Sequence, residues 1–426
     1  LAAKPFGLGG AMLPQIHQAM LHRDVLLSSQ TTHIGISVMN IATAPSSAPR
    51  LSGGWAIVLA SALGLVVLAF MHGALPLALL ALVGLFAGVA LYHASFGFTA
   101  AWRRFILERR SAGLRAQIVM LGLASLVFFP ALGAGSLLGQ PAGGFVFPVG
   151  LALIAGAFIF GLGMQLGGGC GSGTLFTIGG GSVRMVVTLI FFIIGSTLAT
   201  AYADLWLGWP KLPPVSIIAS LGALPALAAM LAALGLIYWL VRRAEAARHG
   251  EAASITQPAS RWFTGPWALV AGAVALAAVN IATLLLSGWP WGITGAFALW
   301  GSKIAALAGA TPAGWVYWQG QEASLTASVF ADVTSVMDFG IILGAMLAAM
   351  IAGKFRPSLA IPPRSLAAAI IGGLLLGVGA RLGTGCNIGA FFSGTVSGSL
   401  HGWVWLAAAF AGNVIGVKLR PLFRLD

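Results

Sequence analysis

Long apolar runs separated by short polar stretches recur from residue 54 to the C-terminus. Each run approaches the roughly 20 residues that an α-helix needs to cross a hydrocarbon core about 30 Å thick. The pattern predicts spans near 54–72, 75–95, 117–138, 147–165 and 183–203, and a second set near 217–241, 266–287, 330–352, 366–382 and 401–418. The expected fold class is an all-α polytopic membrane protein of about ten spanning helices, because closed helices satisfy their own backbone in lipid. Residues 1–50 stand apart. Residues 1–38 begin with Leu, hold His17, His22 and His33, and show neither a helical period nor a signal-peptide core. Met39 opens a polar Ser/Pro-rich stretch, so the N-terminal segment 1–50 reads as disordered or non-native, with Met39 as the start.

Two of the breaks between runs are copies of one another. Leu166–Phe176 (LGGGCGSGTLF) returns as Leu382–Phe392 (LGTGCNIGAFF), with six of eleven positions identical and one of the chain's two cysteines in each copy. A weaker echo links Phe96-Gly97-Phe98-Thr99 to Trp291-Gly292-Ile293-Thr294. Together they predict four re-entrant segments, two per half.

The basic residues orient these breaks. Fifteen of the 22 Lys and Arg fall in four places: Arg103 to Arg115, Arg242 to Arg261, Lys354 to Arg364, and the tail from Lys418. The connections near 139–146, 204–216 and 305–325 hold one basic residue among them, Lys211. By the positive-inside rule the first set is cytoplasmic, the second faces out, and both termini lie inside. The breaks at Cys170 and Cys386 are then re-entrant from opposite faces. Each half holds about five spans, which predicts an inverted-topology repeat, residues 51–210 against 211–426.

A mean hydropathy of +0.97, with 59% apolar and 7% charged residues, excludes a soluble domain. The net charge of +13 does not indicate nucleic acid, because the basic residues lie in short loops rather than on one face. Two cysteines so far apart form no metal or disulfide framework, and the sequence carries no cofactor motif. The 14 Trp fall mostly at span ends, as in an aromatic belt.

Gly169 and Gly171 around Cys170, and Gly385 before Cys386, supply the backbone freedom that a break at membrane depth needs. Short half-helices from Ser172 and from Ile388 would aim free backbone N–H groups back at the cysteines. Each helix start carries about half a positive charge, so two facing starts form an anion site without a permanent cation. Ser172, Thr384 and Asn387 can add neutral donors. A neutral thiol is a weak, soft donor that suits a sulfur-containing anion, whereas a thiolate would repel it. Arg381, two residues before Gly383, is a candidate counter-ion or the partner of a backbone carbonyl. Lys303, after the second echo motif, is a similar candidate. Asp332 and Asp338, at the start of the eighth span, read as facing water or pairing with a base.

The motifs LGGGCGSG and LGTGCNIG, in a protein of this size and hydropathy, resemble those of the YeeE/YedE family of bacterial inner-membrane sulfur-compound transporters. The resemblance covers roughly residues 50–420. It implies passage of thiosulfate or a related sulfur anion through an hourglass-shaped protein, by transient S–H···S contacts along central cysteines. Cys170 and Cys386 are the positions that carry over. Thiosulfate-importing members have a further cysteine near the first re-entrant segment, and this chain has none there, so another sulfur anion or a selenium compound stays open. The partners implied are a small sulfur anion and the bilayer, with a cytoplasmic sulfur-carrier protein as a further candidate.

The competing class is a membrane sulfurtransferase or thiol oxidoreductase that uses the two cysteines covalently. Against it, the sequence has no Cys-x-x-Cys and no paired general base, so the expectation is a transporter and not an enzyme. A third reading is a membrane partner that only recruits a sulfur-handling protein.

Overall fold

A computed structural model of the chain describes residues 53–258 and 260–425. The N-terminal segment and Met39 lie outside the described residues. The helices that matter here are α1 (Gly53–Ala94), α2 (Phe98–Glu108), α3 (Ala112–Ala134), α4 (Leu151–Gly167), α5 (Gly171–Gly179) and α6 (Val183–Ala201). They are followed by α7 (Ala223–His249), α8 (Leu269–Ser287), α9 (Thr294–Leu307), α10 (Val333–Ile351), α11 (Pro363–Leu382) and α12 (Leu400–Leu419). Among the described residues, strand structure amounts to one two-residue pairing, Ser136–Leu137 with Gln140–Pro141, and two isolated bridges, Gly150 with Lys211 and Ser216 with Ser399.

α1 is two helices joined at a sharp break, and both pack on one stretch of α10: Gly64 and Leu65 lie beside Ile342 and Leu343, and Gly84 and Gly88 lie against Met337 and Ile341. Gly73 and Ala74 leave the helical region, Ala74 with φ 53°, two residues before Pro76. Proline removes an N–H from the ladder and crowds the preceding turn. The kink falls between the spans expected at 54–72 and 75–95. With that kink bridged, nine helical stretches among the described residues are long and apolar enough to cross a membrane, which makes this an all-α polytopic membrane protein. On α6, Val186, Ile190, Ile194 and Leu198 are exposed at four-residue spacing, a stripe suited to lipid tails.

Helices from the first part of the chain pack on helices from the second: α1 on α10, α3 on α8, α4 on α11 and α12, and α6 on α11. Small residues set the distances. A Cβ on Gly372 would lie 2.1 Å from Gly167 N, and one on Gly156 would lie 2.2 Å from Gly383 N. Backbone therefore touches backbone where α4 and α11 cross, as in small-residue membrane interfaces.

The connections gather into two separate sets. In one, Gly181 packs against Phe355, Arg356 and Pro357, and Glu245 joins Ser111, Arg115 and Ala253. In the other, Gly143 bonds to Gly288, Leu151 to Pro210, Ile217 to Gly398 and Phe145 to Ser397. α5 starts at Gly171 and ends beside the first set. Its nine residues rise about 13 Å, under half the hydrocarbon thickness.

Candidate functional site

The first break begins where α4 runs out of intrahelical partners. Its last carbonyls are each taken by a guanidinium: Gln165 O by Arg420 Nη1 at 2.8 Å, and Leu166 O and Gly167 O by Arg184 Nη2 and Nη1 at 2.7 Å. Cations at a helix C-terminus also meet the negative end of its dipole. Gly168 then turns the chain at φ 94°, and Cys170 caps α5. The Cys170 carbonyl accepts bonds from Thr174 N at 2.9 Å and from Thr174 Oγ1 at 2.8 Å.

The second break differs in its winding. Thr384 (φ 61°) and Gly385 (φ 147°) turn the chain, and Cys386 caps a π-helical turn, Asn387–Ser393, rather than an α-helix. The Cys386 carbonyl accepts Ala390 N at 2.8 Å and Phe391 N at 3.3 Å, so the start of the helix is widened. Such π turns recur at functional sites. Gly394–Val396 continues as α-helix.

The two cysteine breaks meet. A Cβ on Gly171 would stand 3.1 Å from Cys386 Sγ, 3.2 Å from Ile293 Cγ2 and 3.3 Å from Thr294 Cγ2. The Cys386 sulfur thus rests on the first turn of α5, with the start of α9 alongside. Cys170 Sγ is 3.5 Å from Ser172 Oγ, and both sulfurs are buried. α2 joins through Phe98, edge-on to Phe391 at 6.3 Å, and through Thr99 O, which accepts Gln165 Nε2 at 3.2 Å. The echo motifs therefore lead into α2 and α9, and these short helices start close to the two cysteine-led ones. Asn280 fixes the α9 side: its Oδ1 accepts Trp291 N at 2.8 Å and its Nδ2 donates to Ser393 Oγ at 3.2 Å.

Around this point polar side-chain atoms are buried without partners. Asn387 is buried with neither its amide nitrogen nor its oxygen bonded, and Thr384 Oγ1 and Arg381 Nε are also unbonded. Native interiors satisfy nearly all such atoms, so the run of exceptions over 381–387 stands out. Arg381 donates to Thr294 O at 2.6 Å and to Tyr317 Oη at 2.9 Å, so of its two expected roles the backbone pairing is present, with Nε left over. A cavity of about 200 Å³ reaches Thr384, walled by Gly150, Trp206, Trp209 and Lys211. One of about 240 Å³ reaches Arg184 on the other set of connections, beside Arg356 and Ser365.

Gly169 and Gly385 are held by proximity, since a Cβ would lie 3.0 Å from Gly173 C and 2.9 Å from Ala390 N respectively. Lys303 is placed elsewhere: its Nζ donates to Leu325 O and Ala327 O, both at 2.6 Å, and ties α9 to the following connection. Asp338 departs from expectation. It neither faces water nor pairs with a base; it is wholly buried with both oxygens unbonded. Asp332 instead caps α10, accepting Ser335 N and Ser335 Oγ at 2.7 Å. Sequence reading also missed Thr294, Tyr317 and the carbonyl-capping arginines, whose roles depend on contacts across the chain. Arg184 alone left a hint, as the one base opening a span directly after the first break. Among the described residues no group of three His, Cys, Asp or Glu could hold a metal.

Fold and site together define a multi-pass helical membrane protein with a buried polar centre built from duplicated thiol-bearing breaks. The sulphur-transport family matches residues 93–415, and the chain belongs to that family, the YeeE/YedE group. It is 29% identical over 341 residues to the thiosulfate transporter TsuA of Spirochaeta thermophila, covering 78% of this chain and 95% of that protein. It is 23% identical over 344 residues to the thiosulfate transporter TsuA of Escherichia coli, covering 77% and 90%. It is also 32% identical over 169 residues to the probable transporter YedE of E. coli, covering 38% and 41%.

Proposed function

We propose that the chain is a permease for a small sulfur-containing anion, thiosulfate or a close relative, which passes between two re-entrant segments led by Cys170 and Cys386. The observation that carries this reading is the contact of Cys386 Sγ with the first turn of α5, which brings two cysteine-capped helix starts together in the interior. An anion there meets backbone N–H groups from both starts, the Asn387 amide and the Thr384 hydroxyl, with the thiols as soft contacts for its sulfur end. Moving a dianion through hydrocarbon unaided costs tens of kcal/mol, so a polar path is obligatory. The swapped packing of early and late helices supports an inverted repeat of residues 51–210 and 211–426. The basic connections support a bacterial inner-membrane protein with both termini cytoplasmic, and a cytoplasmic sulfur carrier is the partner to which cargo would be handed.

Uptake of labelled thiosulfate, sulfite and selenite by proteoliposomes tests the reading, with Cys170 and Cys386 each replaced by Ser and by Ala. Permeation predicts saturable uptake of at least one anion, partly retained with Ser and lost with Ala. Loss in both variants, accompanied by a cysteine persulfide in wild type, would support the covalent sulfurtransferase instead. If no anion moves and both cysteines are dispensable, the permease reading is wrong.

A further inference from the structure

Asp338 lies inside α10 with no exposed surface, and neither carboxylate oxygen receives a hydrogen bond. Its position on the helix aims it at the cysteine breaks. Four residues earlier, Thr334 Oγ1 lies 4.0 Å from where a Gly295 Cβ would stand, in the first turn of α9. Seven residues later, Ala345 Cβ lies 2.7 Å from a Cβ position on Gly179, at the end of α5. Residues four and seven apart share a helix face, so Asp338, between Thr334 and Ala345, belongs to the face of α10 turned toward α5 and α9. Cys386 is within its electrostatic reach.

The neighbouring ionisable groups do not compensate it. Asp332, on the same helix, is a like charge already engaged with Ser335. Lys303 on α9 is held by two carbonyls. α1 brings His72 beside its kink and Tyr92 and His93 in its last turns, while α5 and α8 carry no titratable side chain apart from the cap Cys170. A bare carboxylate in such surroundings is expensive, and an intramembrane acid of this kind serves a pathway more often than a fold.

We infer that Asp338 carries a proton alongside the transported anion, taking it up when the anion occupies the site at Cys386 and releasing it when the anion leaves. The anion's charge favours the proton on Asp338, and the proton relieves the repulsion that the carboxylate would exert on the anion. By linkage each raises the other's affinity. The paired movement also reduces the net charge driven through the membrane potential. The proton comes from and returns to water on the two sides, and no bond in the cargo is broken. The inference rests on the permease reading.

The test uses the full chain in proteoliposomes with the potential clamped by potassium and valinomycin, labelled thiosulfate as probe, and a lumenal pH dye. With a gradient of one pH unit, one proton per anion predicts about tenfold accumulation toward the alkaline side, with acidification of the lumen. Asp338→Asn is expected to lose the accumulation and the proton signal while still exchanging labelled for unlabelled thiosulfate. Wild-type exchange without accumulation or lumenal acidification overturns the proposal and leaves the permease standing. Accumulation by Asp338→Asn equal to wild type also overturns it. Absence of exchange in wild type with thiosulfate, and with sulfite and selenite in its place, overturns both. The wild-type dye measurement decides even where the variant does not fold.

Discussion

At Gly171 a single hydrogen stands where any other residue would press a carbon against the Cys386 sulfur. The 3.1–3.3 Å approaches to Cys386, Ile293 and Thr294 are tight contacts rather than impossible ones, so Gly171→Ala should fold with the sulfur displaced by a few tenths of an ångström. Thiosulfate uptake should fall at least about tenfold, since small misplacements at a functional centre are costly. Uptake equal to wild type would remove the contact from the mechanism. Asn387 makes the complementary case. Its side chain is buried with no partner, so Asn387→Leu removes a desolvation cost of about 1–3 kcal/mol and should leave the thermal midpoint in detergent unchanged or raised. Uptake should nevertheless be lost. A lowered midpoint would mean that the amide is structural. The cysteines, Asn387 and Thr384 were legible in the sequence because a duplicated motif surrounds them. Asp338 was not: near the start of an apolar run an acid reads as a solvated end residue, and only the neighbouring helices bury it.

Among elements, α4 and α11 cross with backbone against backbone. Gly372→Ala must push Gly167 and its helix outward, because the colliding atom is backbone and cannot rotate away. A loss of about 1–3 kcal/mol is expected, read as a lower midpoint in a detergent thermostability assay. An unchanged midpoint would show that the helices can slide apart freely. The same helices end at the two breaks, so the crossing also fixes how far apart Cys170 and Cys386 sit. The spans were legible to within about five residues, since apolar length alone separates membrane helix from loop, except that α7 runs from Ala223 to His249 where 217–241 was expected. The kink at Gly73–Ala74 was legible as a gap between two spans. The π turn at Asn387 was not, because nothing in LGTGCNIG distinguishes a wide helical turn from a normal one; the Cys386 carbonyl accepts two N–H groups there.

For the whole molecule, the two sets of connections make the orientation testable. Exposed Trp209 lies with one set and exposed Ser358 with the other. In a background lacking both native cysteines, Trp209→Cys should react with a membrane-impermeant maleimide on intact cells, and Ser358→Cys only after permeabilisation. The reverse pattern would invert the topology. The two-sided arrangement was legible from the spacing of Arg and Lys. The partners of each helix were not, because apolar runs of similar length carry no address.

Those partners bear on how the protein is made. α1, α3, α4 and α6 bury their inner faces mainly against α7, α8, α10, α11 and α12, which are synthesised later. At ~5–20 residues per second, the 216 residues that separate Cys170 from Cys386 take roughly 10–40 s to appear. During that interval the early helices wait in the bilayer with glycine-lined grooves turned to lipid, open to a holding chaperone or a membrane protease. A nascent chain stopped after α6 should therefore be short-lived, and coexpression of the missing half should rescue it.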